Sequence, residues 1–209
     1  MAASCIAHLR FWKLDGAGND FVGFDNRKLS LPDGGERSEL IRAVCDRRTG
    51  VGTDGAIILE RPRDVKTAHV RMRYYNRDGG EAEMCGNGAR CLALFATVLG
   101  AAPTRGMRID TIAGIQRADV LKHGTVRIYL PDVGPLRHYP RVEAPPWSGS
   151  LDFVWVGVPH AIVWVDNLEA LDVDSLGRTM RHHAAFSPHA TPVHPRRRVL
   201  YLVQEQIHG

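Results

Sequence analysis

The sequence of 209 residues lacks any long apolar run. No window holds about eighteen consecutive apolar residues, so the sequence predicts no transmembrane helix. The first ten residues show no basic segment followed by a long apolar stretch, so we expect no secretory signal. These absences favour a cytoplasmic globular protein that does not bind a membrane.

Cysteine is also scarce, with four in the chain and no spacing typical of a disulfide framework. That scarcity favours reduced thiols in a cytosol. No C-x-x-C or H-E-x-x-H pattern occurs, so nothing indicates a metal site.

The net charge of +4 comes largely from local basic stretches such as residues 196–198. No helix-turn-helix, zinc-finger or RNP-type pattern accompanies them, so we expect no nucleic-acid partner.

The most informative stretch is residues 76–91, NRDGGEAEMCGNGARC. It follows residues 70–75, which predict a strand, and it precedes residues 92–99, which predict a helix closed by Gly100. Cys85 is therefore expected on a turn at a helix start, where unpaired N–H groups and the helix dipole favour negative charge. We expect a depressed thiol pKa there. The same N–H groups predict a cradle for a carboxylate.

The alternative for Cys85 is a structural role, because free cysteine is more often a small buried side chain than a base. The flanking Gly86, Asn87 and Gly88 favour function, since glycine lets the backbone approach a ligand closely. Cys91 lies six positions further on, inside the predicted helix, and is expected in the core.

Two other glycine-rich segments stand out. Residues 13–21, KLDGAGNDF, predict a turn between two strands; Asn19 there either presents an amide to a ligand or serves a plain hairpin turn. Residues 49–55, TGVGTDG, lead into a predicted strand over 56–59. They match no P-loop and open no helix, so we expect no dinucleotide site. Cys45 lies on the apolar face of a helix predicted over 36–46 and is expected in the core.

Strand-like runs outnumber helical ones in the rest of the chain. This pattern predicts an α+β fold with a mixed or antiparallel sheet wrapped on the Cys85 helix. His160 follows a Gly-Val-Pro turn and is either structural or faces a cleft. Further strands are predicted over 107–111, 116–121, 126–130, 153–156, 161–165 and 199–203, and a helix over 167–184. The domains are predicted as residues 9–131, a proline-rich connector over 132–150, and a partial second domain over 151–209.

Three segments taken in order, residues 13–21, 49–55 and 76–91, resemble the motifs of the diaminopimelate epimerase family. Residues 157–160 and the run through residues 182–186 resemble that family's second domain, so the resemblance covers about residues 9–189. It implies a diaminopimelate epimerase-like fold, a curled sheet or barrel around a central helix in each of two pseudo-repeated domains, the second incomplete here. The substrate would bind between the domains.

The resemblance implies an isomerase that interconverts LL- and meso-2,6-diaminopimelate in lysine and peptidoglycan-precursor biosynthesis. Two cysteines would transfer the proton without a cofactor or metal. A homodimer is a possible assembly.

Asp54 and Gly55 lie where the second motif approaches the site; some members carry Gln at the place of Gly55. Val158 stands where many members carry a substrate-binding Asn, so that contact is expected to be lost. The implied site residues are the catalytic Cys85 and His160 and the substrate-binding Asn19, Asn76, Gly86 and Asn87.

The sequence departs from the family toward its end. The family's second catalytic cysteine lies in a later Cys-Gly-Thr-Gly-like motif, but no cysteine follows Cys91, and residues 190–193 show ATPV where the family usually has Gly-Thr-Asn-Val. A truncated or frame-shifted gene would produce this, and we expect weak or no epimerase activity from the chain alone. Cys5 is a poor substitute because no glycine-rich segment adjoins it.

Two other functions remain open. One is a related cofactor-free racemase or isomerase of the same fold, such as proline racemase or the phenazine-biosynthesis isomerases. The other is an inactive ligand-binding or assembly subunit, which the missing second cysteine favours.

Overall fold

The computed structural model describes residues 9–130, 132–145, 147–156, 158–165, 167–181, 183–186 and 193–196. They form two compact units that meet in the sequence at Tyr129 and Leu130. The helices are α1 (Gly34–Cys45), α2 (Gly86–Val98) and α3 (Val173–Arg181). The strands are β1 (Trp12–Gly16), β2 (Asn19–Asp25), β3 (Gly55–Glu60), β4 (Val70–Asn76), β5 (Glu81–Ala82), β6 (Met107–Thr111), β7 (Gly114–Val120), β8 (Val126–Tyr129), β9 (Arg137–Ala144), β10 (Trp147–Val156), β11 (Val158–Trp164) and β12 (Val193–Arg196).

The first unit is a mixed sheet curled around α2. Its strand order is β1-β2-β3-β4-β6-β7-β8, with β5 paired to β4. The pairs β2–β3 and β4–β6 are parallel and the others are antiparallel. Helix α2 contacts both terminal strands, β1 and β8, as well as strands between them, so the sheet wraps around it. The predicted α+β class and the mixed curled sheet around a central helix are confirmed.

Helices α1 and α2 cover opposite faces of this sheet. Successive side chains of a strand point to opposite faces, and Phe21 and Ile57 accordingly pack with α2, whereas Val22 and Ile58 pack with α1. Strand β3 is buried at every position because both of its faces are covered. Cys91, a residue of α2 itself, packs in the core of the first unit, as predicted.

Helix α2 begins at Gly86, well before the predicted start at residue 92. The two glycines and the asparagine of residues 86–88 predict a turn, because these residues are poor helix formers. Cys85 supplies the N-cap instead, and the helix forms from the next residue onward. The prediction that Cys85 lies at the start of a helix is confirmed.

The second unit is a sheet of order β12-β11-β10-β9 with α3. Residues 137–144, which lie in the predicted proline-rich connector, form β9. Pro140 is tolerated because β9 lies at the sheet edge, and the register with β10 shifts at that point in a bulge. The exact domain boundaries stay a prediction.

Helix α3 is shorter than the helix predicted over residues 167–184. Asp172 Oδ1 accepts a hydrogen bond from the N–H of Ser175 at 2.9 Å, and this side-chain cap starts the helix at Val173. The strand predicted over 199–203 lies outside the described residues. Within the described part of the chain, no helix combines the length and apolar character needed to cross a membrane.

A buried ion pair ties α1 to β3. Arg37 Nη1 lies 3.1 Å from Glu60 Oε1, and both side chains are less than a tenth exposed. Asn26 Nδ2 donates to the same carboxylate oxygen at 2.8 Å. Removing one partner of such a pair leaves an uncompensated buried charge, which is costly.

We expect the substitution Arg37→Ala to lower the free energy of unfolding by about 3–5 kcal/mol, because it leaves Glu60 buried and unpaired. The matched control is Arg105→Ala, since Arg105 is 65% exposed and its Nη1 lies 3.8 Å from Asp119 Oδ2. That solvent-exposed pair is expected to contribute little to stability. Urea unfolding followed by circular dichroism measures both; equal losses would contradict the role of the buried pair.

Candidate functional site

Cys85 is built into the N-terminus of α2. Its backbone is extended, with φ −136° and ψ 115°, as an N-cap residue requires. Its Sγ accepts a hydrogen bond from the N–H of Gly88 at 3.1 Å. The side chain is only 2% exposed and belongs to the core cluster beneath α2. The thiol is therefore both the cap of the helix and part of its packing.

The predicted depression of the Cys85 pKa is wrong. Burial raises the pKa of the thiol to about 11, although N–H groups of Gly88 and Asn87 and the charge of Arg90 act in the opposite direction. A thiolate in the core would lose its hydration. The cost of that loss exceeds the stabilisation that the N–H groups at the helix start would give the negative charge. At neutral pH Cys85 is a thiol, which makes it a proton donor in its resting state.

Two glycines let the backbone close around the α2 N-terminus. A Cβ at Gly16 would lie 2.7 Å from Cys91 Sγ and 3.0 Å from the carbonyl oxygen of Asn87, both too near for a side chain. A Cβ at Gly88 would lie 3.3 Å from Cys85 Cβ, which is a tight contact. The first glycine-rich segment thus touches the first turn of α2 directly, which only a residue without a Cβ permits.

Asn19 and Asn87, both predicted to bind substrate, are in contact. Asn87 Nδ2 donates a hydrogen bond to Asn19 Oδ1. Arg90, one turn further along α2, donates from Nη2 to Asn87 Oδ1. The first and third motifs are therefore joined through their amides, and Arg90 fixes the orientation of the Asn87 side chain.

A cluster of ion pairs attaches the second glycine-rich segment, residues 49–55, to the first, residues 13–21. Lys13 Nζ lies 2.9 Å from Asp20 Oδ2 and donates to the carbonyl of Gly52 at 2.7 Å. Arg47 bridges Asp20 and Asp54 at 3.0 and 2.7 Å. Partial burial opposes ionisation of Asp20, but the hydrogen bonds from Arg47 and Lys13 hold its pKa well below the usual range. The carboxylate stays charged, so the cluster persists at neutral pH.

Asn76 ends β4 and is buried. Gly55 stands opposite it in the β3–β4 pair. Asn76 Oδ1 accepts a hydrogen bond from the Tyr74 hydroxyl at 2.9 Å. The structure thus places residues of all three motifs in the first unit, and each contacts another motif or the α2 start.

Tyr74 and Arg90 are residues that our sequence analysis missed. The sequence spacing between each of them and a predicted site residue could have identified it. Tyr74 lies two positions before Asn76 in a strand, which puts both side chains on one face. Arg90 lies three positions after Asn87 in a helix, which makes the two side chains neighbours.

His160 belongs to the second unit, where it lies within β11 opposite Val154. It is 9% exposed. Burial lowers the pKa of the imidazole, and a backbone hydrogen bond with Val156 opposes the shift only in part. His160 is therefore neutral at physiological pH. Cys5 and His182 lie outside the described residues.

The described residues contain no group of three or more His, Cys, Asp or Glu side chains arranged to hold a metal ion. What they do assemble in the first unit is a buried thiol, oriented backbone N–H groups and side-chain amides. Such an arrangement is suited to proton transfer next to an anionic group.

The family profile described as Diaminopimelate epimerase matches residues 11–134, the segment that holds this assembly. The chain belongs to the diaminopimelate epimerase family. It is 38% identical over 192 residues to the diaminopimelate epimerase of Aquifex aeolicus, covering 88% of this chain and 67% of that relative. It is 39% identical over 183 residues to the diaminopimelate epimerase of Chlorobaculum tepidum, covering 86% and 66%. The predicted family is confirmed, and it is a family of isomerases.

Solved structures show the same fold at low sequence identity. A phenazine biosynthesis protein of the PhzF family from Bacillus anthracis superposes with a TM-score of 0.56 at 18% identity, covering 76% of this chain and 56% of that one. A probable proline racemase from Agrobacterium radiobacter gives a TM-score of 0.57 at 16% identity, covering 82% and 54%. The chain thus spans about two thirds of the curated relatives just named and somewhat over half of these structures.

The close approach at Gly16 predicts a specific sensitivity. We expect Gly16→Ala to lower the free energy of unfolding by about 1–3 kcal/mol, because the added methyl group overpacks against Cys91 and Asn87. The control is Gly35→Ala in α1, where an added Cβ meets nothing within 4 Å. That change is expected to stabilise slightly, since alanine favours a helix over glycine by about 1 kcal/mol. Urea unfolding compares the two, and a neutral Gly16→Ala would contradict the contact.

Proposed function

We propose that the chain supplies one half of a cofactor-independent diaminopimelate epimerase site, with Cys85 as the group that exchanges the α-proton of the substrate. One observation carries this proposal, namely that the Cys85 thiol caps the helix whose first N–H groups lie beside Asn19 and Asn87. The family to which the chain belongs supports diaminopimelate as substrate. The reaction is the interconversion of the LL and meso forms.

The chemistry needs an anion cradle as well as a base. Removal of the α-proton leaves carbanion charge that the adjacent carboxylate must absorb. Donors directed at that carboxylate stabilise the charge as it develops. In our proposal the backbone N–H of Gly86 and the Asn87 residue hold the α-carboxylate at the α2 start, while Asn19 and Asn76 bind the rest of the substrate.

The protonation state of Cys85 determines the direction of transfer. As a resting thiol it donates a proton to the carbanion, and as a thiolate it removes one. Because the pKa lies at about 11, the thiolate fraction at neutral pH is small. The fraction increases about tenfold with each pH unit below the pKa. Proton removal by this half-site is therefore expected to accelerate with pH.

Inversion needs a second group on the opposite face of the α-carbon. No cysteine follows Cys91 in the sequence. Cys45 and Cys91 are both buried in the core, and burial raises the pKa of each. We therefore propose that the site assembled by the described residues, with Cys85 as its proton-transfer group, exchanges the α-proton without inverting the centre. The role of His160, which is neutral and buried in the second unit, stays a prediction. A homodimer stays a prediction, as do a cytoplasmic location and the lack of a nucleic-acid partner.

The proposal predicts α-proton exchange with retention. In deuterated water, only the form of diaminopimelate, LL or meso, whose α-proton faces Cys85 is expected to lose that proton's NMR signal, and circular dichroism is expected to show no inversion of either form. The rate is expected to increase about tenfold per pH unit between about pH 7 and 10, because the thiolate fraction does so.

The substitution Cys85→Ser tests the assignment, because serine keeps the helix cap but is a far weaker base. We expect it to lower exchange at least about a hundredfold. Cys45→Ser is the matched control and should leave the rate nearly unchanged. Equal exchange in Cys85→Ser and the wild type would refute the role of Cys85. Binding of diaminopimelate without any exchange would instead support a ligand-binding protein.

A further inference from the structure

Tyr74 is a buried tyrosine whose hydroxyl reaches the proposed site. Its ring packs edge-on against Phe21, with 6.0 Å between the ring centroids. The side chain is 1% exposed. Its hydroxyl donates to Asn76 Oδ1 at 2.9 Å. The contact joins a ring that the core holds in place to an amide that we propose binds substrate.

Gly55 provides the space for this contact. A Cβ at Gly55 would lie 2.9 Å from the hydroxyl oxygen of Tyr74 and 2.5 Å from the carbonyl oxygen of Tyr75. A side chain at this position would therefore displace the tyrosine or the neighbouring strand. Since Gly55 stands opposite Asn76, its missing side chain leaves room for the Tyr74 hydroxyl on the face that Asn76 occupies.

The Tyr74 hydroxyl can act only as a neutral group. Burial raises its pKa well above the usual range, and the nearby Cys85 acts in the same direction. A neutral phenol can donate a hydrogen bond to an amide oxygen and can also accept one from an amide NH₂ group. In the structure it donates to Asn76 Oδ1, and because the core holds the ring in place, this hydrogen bond fixes the position of the Asn76 amide.

We propose that Tyr74 is a positioning residue for substrate recognition, whose hydroxyl holds the Asn76 amide in the place from which it contacts diaminopimelate. This inference rests on the proposed function and deepens it. Tyr74 acts through Asn76 and does not take part in proton transfer. Its role belongs to binding and should leave the chemistry of the Cys85 thiol unaltered.

The substitution Tyr74→Phe removes the hydroxyl and keeps the ring. Tyr75→Phe is the matched control, because Tyr75 is the next residue of β4 and packs on the opposite face, in the core beneath α1. We expect the dissociation constant of diaminopimelate, measured by calorimetry, to increase about tenfold in Tyr74→Phe, as the loss of one oriented hydrogen bond implies. In Tyr75→Phe it should change less than about twofold. Equal affinities in the two variants would overturn the proposal.

A second measurement keeps the inference testable if the wild type does not bind diaminopimelate, an outcome that counts against the proposed function. The side-chain amide signal of Asn76 is observed by NMR and assigned from its absence in Asn76→Asp. We expect Tyr74→Phe to shift this signal and accelerate its hydrogen exchange, with Tyr75→Phe leaving both unchanged. An Asn76 amide signal that is the same in all three proteins would overturn the positioning role directly.

Discussion

The site depends on one constraint, the burial of the Cys85 thiol at the N-terminus of α2. The helix needs an acceptor there, and Cys85 Sγ supplies it to Gly88. The same burial removes water from the sulfur, so the pKa rises despite the N–H donors. The thiol in this position therefore caps the helix, while its burial opposes its ionisation. Substrate binding would have to bring an anion to the helix start without making ionisation of the thiol still harder.

The other parts of the site are held to that helix start by contacts of three kinds. Gly16 allows close approach of β1, the amides of Asn19 and Asn87 join the first and third motifs, and the charges around Asp20 attach the second. These contacts lie on a sheet curled around α2, which brings segments distant in sequence together. The Arg37–Glu60 pair secures α1 on the other face of the sheet.

Much of this could be predicted from the sequence because it depends on local patterns. Short apolar runs predict the strands, and the glycine-rich segments mark the turns that meet α2. The pKa of Cys85 could not be predicted from the sequence, since it depends on how completely the fold buries the sulfur. Tyr74 was missed because its importance depends on the space that Gly55 leaves on a neighbouring strand. Strand β9 was missed because Pro140 normally disfavours a strand and is accepted here at a sheet edge.

The central claim is that burial, and not the helix start, sets the state of Cys85. Its most direct test is a pH titration of the cysteine Cβ chemical shift in protein labelled with ¹³C-cysteine, with the Cys85 signal assigned from its absence in Cys85→Ser. The account predicts a thiol signal throughout the neutral range and a midpoint at about pH 11. A midpoint below the ordinary cysteine value of about 8.5 would contradict it. The helix start would then outweigh burial, and Cys85 would rest as a thiolate.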